Sequence, residues 1–537
     1  MNKRLDAIPA WVMVLGFLLC VDRPVLGAPP ALTGPAQTPA AAVEARLKSV
    51  DYAKALEQAQ ASLMANPNDT AMDILEIKAM MGLGQNMNAA RLALGLAASY
   101  PRHPEFRLLA GLCAFRMGYL EQALAQWGQL KTVPGWQGKG YELSIQALIA
   151  DGQLARAKAL ALDAVSRVKP PSEALVADLL LVDPVPQDCL SPLKALLATN
   201  PPHAEHFYAQ EKLLEAAGPS GWYVCTSLPK GPVTIPLQEK DEQLDLPDIN
   251  GHGGLMATRG EAANVPLNWH RMTSFRNVVV PLTIAGGPKQ WMVLRSSPDF
   301  MVISESAAKS LKLTPLAQGH YSGMAGQATK AAEWVLCPEI AIGGITIHNV
   351  PAMVIADPSD FWQKRGVLPL SIFRSWAVFY DRRHSHLTLY PSGTAPASVM
   401  GAGSFRVASA WPQGRPYVGT SIHGHPGCFC AIDTGAYTTF IASEHAPALG
   451  VLPLTGKYGR VTSVGITGNF ASTVAERVDI QLGEKSLQME TLQVIPLEMD
   501  SELFPVQGVL GRDVLDLFAV FFDWQKNVVA FKAYDKP

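Results

Sequence analysis

Charge of one sign is what this 537-residue sequence has least of: 44 lysines and arginines against 46 aspartates and glutamates leave a formal net charge of −2, with a pI near 6.6. Without a strong global field the chain is not built as a general binder of nucleic acid or of anionic membranes, so its partners must be argued from individual sites. Long apolar runs are also scarce. Past residues 8–21, a stretch itself short for a full span, no segment is long and apolar enough to cross a bilayer. Cysteine is sparse too. Setting aside Cys20, which lacks the small preceding residue a lipidated cysteine would have, six remain: Cys113, Cys189, Cys225, Cys337, Cys428 and Cys430. That even number suits disulfides in an oxidising compartment, with Cys189–Cys225 the first pair to test and Cys113, on an apolar helix face, expected as a buried thiol.

What is present begins with an export signal. Lys3 and Arg4 precede the apolar stretch, and small residues around Val25-Leu26-Gly27 suit cleavage, so residues 1–27 read as a signal peptide, with an uncleaved N-terminal anchor as the competing reading. The destination is then the periplasm or the exterior. Residues 28–42, rich in Ala and Pro, read as a disordered lead-in. With 48% apolar residues and a length beyond one core, the remainder is expected to form two to four domains.

The first half repeats. Ala55, Ala89, Ala123 and Ala157 are each 34 residues apart, as are Gly84, Gly118 and Gly152, and Pro67 and Pro101 keep the same step. A 34-residue period holding two amphipathic helices resembles the tetratricopeptide repeat, in which Gly ends the first helix, a small Ala permits close helix approach and Pro closes the unit. The repeat covers about 43–170, and a helical cap extends the region 43–218. It is expected either as a bare scaffold or as a surface that grips a protein partner. Residues 219–270 lose periodicity and read as a linker.

Short β-rich runs follow, such as Asn277-Val-Val-Val-Pro-Leu-Thr-Ile284 and Val528-Val-Ala-Phe531. This half is duplicated. Asp433, at the end of the apolar run Cys428-Phe-Cys-Ala-Ile432, lies 75 residues before Gly508-Val-Leu-Gly511; Arg295, ending Trp291-Met-Val-Leu294, lies 71 before Gly366-Val-Leu-Pro369. Asp523 and Asp381 follow at 90 and 86. A constant lag of four residues is what two copies of one domain with a small loop difference produce. The copies are placed at 271–395 and 403–535.

The strand into Asp433-Thr434-Gly435-Ala436, the glycine-rich hairpin Gly465-Ile466-Thr467-Gly468 and the run Gly508-Val-Leu-Gly511-Arg512-Asp513 together resemble the retropepsin-like aspartic proteases, β-barrel units that act in pairs and share ancestry with pepsin lobes. The fold class expected is therefore an α-solenoid followed by two mainly-β retropepsin-like barrels. The resemblance implies an exported endopeptidase acting on peptide or protein, with Asp433 catalytic, Thr434 locking the two halves, Gly435 letting backbone amides approach the carboxylate, and Gly465 to Gly468 as a flap. Such chemistry needs no cofactor: two neighbouring carboxylates share a proton, one acting as base toward water and the other as acid toward the carbonyl.

The first copy breaks this logic. Arg295 stands in place of the acid, Ser296-Ser297-Pro298 replaces Thr-Gly-Ala, and Ser371 stands where the second copy has Asp513, itself read as a structural ion pair or cap. Asp299, four residues past the site, belongs on the following turn. Two outcomes are expected. Either copies of 403–535 from two molecules pair Asp433 with its mate in a homodimer, giving an acid-optimum peptidase, or the two barrels pair within one chain. In the second case Arg295 forms a salt bridge with Asp433, removes the needed acid, and the cleft binds peptides without cutting them. His423, His425, Cys428 and Cys430 form the remaining constellation; turn and strand packing explain it better than a metal, and none is expected.

Overall fold

The computed structural model describes residues 38–225, 231–242, 275–297, 300–321, 330–356, 366–391, 401, 403–411, 415–454, 460–465, 468–496, 503 and 505–534. The expected signal peptide lies outside these residues, and the first helix, Pro39–Lys48, already starts inside the stretch read as lead-in, capped by the Thr38 side chain.

Eleven helices occupy residues 39–217 among the described residues, and their phasing follows the sequence period. Helices begin at Tyr52, Asn86, Leu120 and Leu154, each 34 residues after the last. Gly84, Gly118 and Gly152 end the helices before them at φ +73°, +83° and +73°. In each case the following N–H reaches back five residues, as in Gln85 to Met80 O (2.9 Å), Tyr119 to Ala114 O (2.9 Å) and Gln153 to Leu148 O (2.8 Å), closing the helix with a left-handed glycine. Val50 holds the same place one period earlier at φ +59°, with Asp51 N–H on Arg46 O, so a β-branched residue there carries strain that glycine avoids. Ala55, Ala89, Ala123 and Ala157 are all fully buried where helices cross.

This helical array is docked along the barrels by the C-terminal ends of alternate helices. The carbonyls at such ends lack intrahelical donors, and the barrels supply them. Trp411 N–H bonds Ala150 O (3.0 Å), the Arg374 guanidinium bonds Leu181 O (3.2 Å), and the Asn349 amide bonds both Ala217 O and Gly221 O (2.9 Å each). Arg116 returns a bond to Leu503 O (2.9 Å). Apolar contact accompanies each: Leu143 and Ala147 share a core with Tyr417, Phe440 and Val509 of the second barrel, and Leu175 and Phe207 share one with Phe300, Trp334 and Met353 of the first. One face of the array thus belongs to the chain's own barrels.

The two barrels are joined by a sheet whose order is palindromic. The second barrel contributes Ser404–Val407, Val528–Ala533 and Phe518–Asp523; the first contributes Trp376–Asp381, His386–Pro391 and Val233–Pro236, in that spatial order. At its centre Phe379 faces Phe521, flanked by Val378 opposite Phe522 and Tyr380 opposite Val520. Since Asp381 and Asp523 are counterparts, a pseudo-twofold axis passes between the two phenylalanines, the self-complementary pairing of a symmetric dimer built into one chain.

The stretch expected as a linker, 219–270, carries structure. Val224–Cys225 pairs with the strand Ile345–Ile355, Val233–Pro236 forms the sheet edge just described, and Gln238–Glu242 pairs with Phe275–Ile284. Val233 lies 62 residues ahead of Arg295, whereas its counterpart Ser404 lies only 29 ahead of Asp433. An insertion between the first strands and the rest of the barrel hides the relation in the sequence. The expected Cys189–Cys225 bridge is not formed either: the six cysteines among the described residues form no disulfide with one another. Cys189 donates to Asp183 O (2.9 Å) within its own helical turn region, and burial pushes its thiol up to about 12.

Candidate active site

Strand register identifies the counterparts. In the second barrel His425–Ile432 runs parallel to Gly508–Leu510, with Ile432 opposite Leu510. In the first, Gln290–Arg295 runs parallel to Val367–Pro369, with Leu294 opposite Leu368 and Arg295 opposite Pro369. Asp433 follows Ile432 and donates its N–H to Leu510 O (3.1 Å). Gly508-Val-Leu-Gly511 and Gly366-Val-Leu-Pro369 being equivalent, Arg295 and Asp433 occupy the same point of the two barrels. In both, a third strand crosses antiparallel, Phe440–Ala442 in one and Met301–Ser304 in the other.

The residues after these points lock together across the axis. Ser296 N–H donates to Thr434 Oγ1 (2.9 Å) and Thr434 N–H donates to Ser296 Oγ (3.0 Å), a reciprocal pair related by the pseudo-twofold. Ser296 Oγ–H donates in turn to Ile432 O (2.8 Å). The sequence resemblance implies such a lock for Thr434; the structure pairs it with Ser296 of the same chain. The face through which a second copy of 403–535 would pair is therefore filled by 275–391, and the residue brought opposite Asp433 is Arg295 and not another aspartate.

Asp433 is half-buried, and its Oδ1 accepts the Gly435 N–H (2.7 Å). Gly435 has a second reason to lack a side chain. A Cβ there would lie 2.7 Å from Arg295 Cδ, 2.9 Å from Nε and 3.0 Å from Nη1, so the arginine arm lies directly over this glycine, two residues beyond Asp433. Arg295 Nη2 reaches Asn277 Oδ1 (3.4 Å), and the same oxygen accepts the Tyr437 hydroxyl (3.1 Å). Asn277 is buried and connects the arginine of one barrel to the tyrosine of the other. Neither Asn277 nor Tyr437 stood out in the sequence; the signal was a polar residue opening the apolar run 277–284.

The Arg512 guanidinium stacks over the Tyr437 ring, 5.1 Å from its centroid, and Arg512 N–H donates to Ala436 O (2.8 Å), fixing the loop that carries the motif. Asp513 has the structural role expected of a cap and not of an ion pair. Its carboxylate accepts Thr439 N–H (2.9 Å) and Thr439 Oγ1–H (2.6 Å), while the Thr439 hydroxyl oxygen accepts Gly511 N–H (2.9 Å). Ser371 lies in the short 3₁₀ turn Leu370–Phe373 of the first barrel. The expected flap is a hairpin, Arg460–Gly465 with Gly468–Leu482, in which Gly465 pairs with Gly468; Ile466 and Thr467 lie outside the described residues, as do Pro298 and Asp299. Cys428 donates its thiol to His425 O (3.3 Å), and Cys430 lies against the Thr420 hydroxyl (3.5 Å).

Residues 280–371 match a family model described as aspartyl protease. The match falls on the first barrel, the copy that carries Arg295. Among solved structures, the chain is similar to the crystal structure of the aspartic proteinase from Irpex lacteus at 10% identity and a TM-score of 0.30, over 48% of this chain and 94% of that one. No curated protein sequence matches.

Proposed function

We propose that this chain, whose second half is a tandem aspartic-protease-type unit, engages an extended polypeptide in the cleft between its barrels and presents to it one carboxylate, Asp433, and one guanidinium, Arg295. The observation that carries the reading is the reciprocal Ser296–Thr434 bond, which pairs the barrels within the chain and sets arginine at the place of the second acid. A guanidinium has donors and no acceptor and does not give up its proton in proteins. It can neither share a proton with Asp433 nor protonate a substrate carbonyl, so hydrolysis by an acid pair has no second member here. Peptide binding without acid-pair cleavage is the function this site supports best.

The test is a peptide library incubated with the protein between pH 3 and 7, with Asp433→Asn in parallel and binding followed separately. Binding without cleavage supports the proposal. Acid-optimum cleavage abolished by Asp433→Asn would overturn it and restore the acid pair, with a second molecule as donor of the mate.

A second reading is favoured by the half-exposed Asp433, held by the Gly435 amide in an ordered strand end. Asp433 would activate water as a base and Arg295 would stabilise the negative charge developing on the carbonyl oxygen. Cleavage rising toward neutral pH, and lost in both Asp433→Asn and Arg295→Gln, distinguishes this from the first reading. Export through residues 1–27 belongs to the proposal as well; fractionation of cells expressing the chain, with N-terminal sequencing of the product, tests it.

A further inference from the structure

Asp433 and Arg295 carry opposite charges at equivalent points of the two barrels, yet the ion pair expected between them is not made. The Asp433 carboxylate accepts the Gly435 N–H (2.7 Å) and has no cation as partner among the described residues. The two groups are nonetheless neighbours, because the Arg295 arm runs over the same Gly435 that holds Asp433. Both side chains are half-buried, so each keeps part of its surface open. At such range an opposite charge attracts a guanidinium, and a competing acceptor is needed to direct it elsewhere.

That acceptor is Asn277. Continuing the antiparallel register of Val279 opposite Val293 by two residues puts Asn277 opposite Arg295 on the same face of the sheet, where cross-strand side chains meet. Its amide oxygen accepts Arg295 Nη2 (3.4 Å) and the Tyr437 hydroxyl (3.1 Å), the two donors one carbonyl oxygen can take. Asn277 is 3% exposed and has little freedom to turn. Tyr437 is fixed in the second barrel by the Arg512 guanidinium over its ring and by Asp513 N–H on its carbonyl (3.3 Å). The oxygen that receives the arginine is therefore aimed by a hydroxyl from the opposite barrel. A carboxylate at 277 would orient the guanidinium as well but would neutralise it; the amide orients it and leaves its charge in place.

Resting on the reading of this site as a peptide cleft, we propose that Asn277, aimed by Tyr437, positions Arg295 to receive a carboxylate of the bound peptide while Asp433 takes a neighbouring N–H. Asn277 and Tyr437 act through the arginine and are positioning residues. The ligand class follows from the two charges being kept separate: a peptide offers a carboxylate beside an N–H at its C-terminal residue, and at an acidic residue within its length.

The probes are three pools of randomised, N-acetylated hexapeptides, presented to the immobilised full-length protein at pH 7 and compared by apparent affinity. The first pool is amidated and free of acidic residues, the second is amidated with one glutamate, and the third is free of acidic residues but ends in a carboxylate. At least one carboxylate-bearing pool should bind about tenfold or more tighter than the neutral pool, the scale of a hydrogen bond between charged groups; which of the two does so identifies the source of the carboxylate. In Asn277→Asp that preference should fall below about threefold while the neutral pool keeps its affinity, and Tyr437→Phe should reduce it in the same direction. Structural damage would weaken all pools alike, so the ratio reports positioning. Equal binding of the three pools to the wild-type protein overturns the proposal, as does a preference unchanged in both variants. Failure of every pool to bind would instead remove the cleft reading on which the proposal rests. The wild-type comparison stands even if a variant fails to fold.

Discussion

Replacing Ser296 by alanine removes one hydroxyl and strands two backbone groups on the opposite barrel, the buried Ile432 C=O and the part-buried Thr434 N–H. Ser296 is 4% exposed, and its Oγ both accepts Thr434 N–H at 3.0 Å and donates to Ile432 O at 2.8 Å. The remaining half of the lock, Ser296 N–H to Thr434 Oγ1, survives. Leaving a buried donor or acceptor unmatched costs roughly 1–3 kcal/mol; with the part-buried Thr434 N–H open to water, the loss rests mainly on Ile432 C=O and is about 1–3 kcal/mol. The palindromic sheet, centred on Phe379 and Phe521, still holds the barrels together, so the loss should appear in the barrel transition and not as dissociation. Urea denaturation followed by fluorescence, with Ser296→Thr as the conservative partner, measures it. Threonine keeps both bonds and already fits at the symmetric position, so that variant should stay within about 1 kcal/mol of wild type. A Ser296→Ala loss under about 0.5 kcal/mol would refute the lock as a structural element, leaving the Phe379–Phe521 pairing alone to hold the barrels in register.

Arg295→Asp combined with Ser297→Gly recreates on the first barrel the sequence pattern of the second; because register and lock are unchanged, acid-optimum peptide cleavage should rise above the wild-type level, and no rise in a folded variant would mean that the two points are not at the separation of an acid pair. Val50→Gly should stabilise the first repeat, since relief of a left-handed β-branched residue, about 1–2 kcal/mol, exceeds the 0.5–1 kcal/mol of extra chain entropy glycine loses; hydrogen exchange of the helices Pro39–Lys48 and Tyr52–Ala65 reads this out. Asp178 is 4% exposed in the helical array, and burial, aided by the charge of Glu142, pushes its pKa well above the ordinary carboxylate range. The folded state then holds a proton that the unfolded state releases above about pH 4, so the contribution of this group is full below that pH and falls as pH rises toward the folded-state value. Asp178→Asn should accordingly raise the melting temperature at pH 8 relative to wild type and lose that advantage at pH 4; an equal effect at both would show that ionisation is not the cause.

Much of the architecture was legible because it repeats. A left-handed turn demands glycine at one place per repeat, and close helix crossings demand alanine at another, so Gly84, Gly118, Gly152 and the four alanines mark the period without any long-range information. The barrels were legible for a related reason: a buried strand ending in Asp433 or Arg295, and a Gly-apolar-apolar run some seventy residues later, are two ends of one parallel pairing. The first strands of the first barrel were not. Val233–Pro236 is four residues long and sits ahead of a long insertion, so nothing local ties it to His386–Pro391. The Cys189–Cys225 expectation failed on the same ground, since proximity in sequence to one helical segment says nothing about whether two thiols face each other.

By itself the sequence determined the kinds of unit present, because periodicity, turn residues and the motif at Asp433 report short-range requirements of backbone and packing. It also determined that one copy had lost its acid. Only the tertiary structure decided what Asp433 faces. That choice between a second molecule and the chain's own first barrel depends on the long-range pairing of Phe379 with Phe521 and on the Ser296–Thr434 exchange, contacts between residues about 140 positions apart. It likewise decided that the ends of the helical array are capped by Trp411, Arg374 and Asn349 of the barrels, where unsatisfied helix carbonyls and apolar helix faces find donors and cover that their own repeats cannot supply.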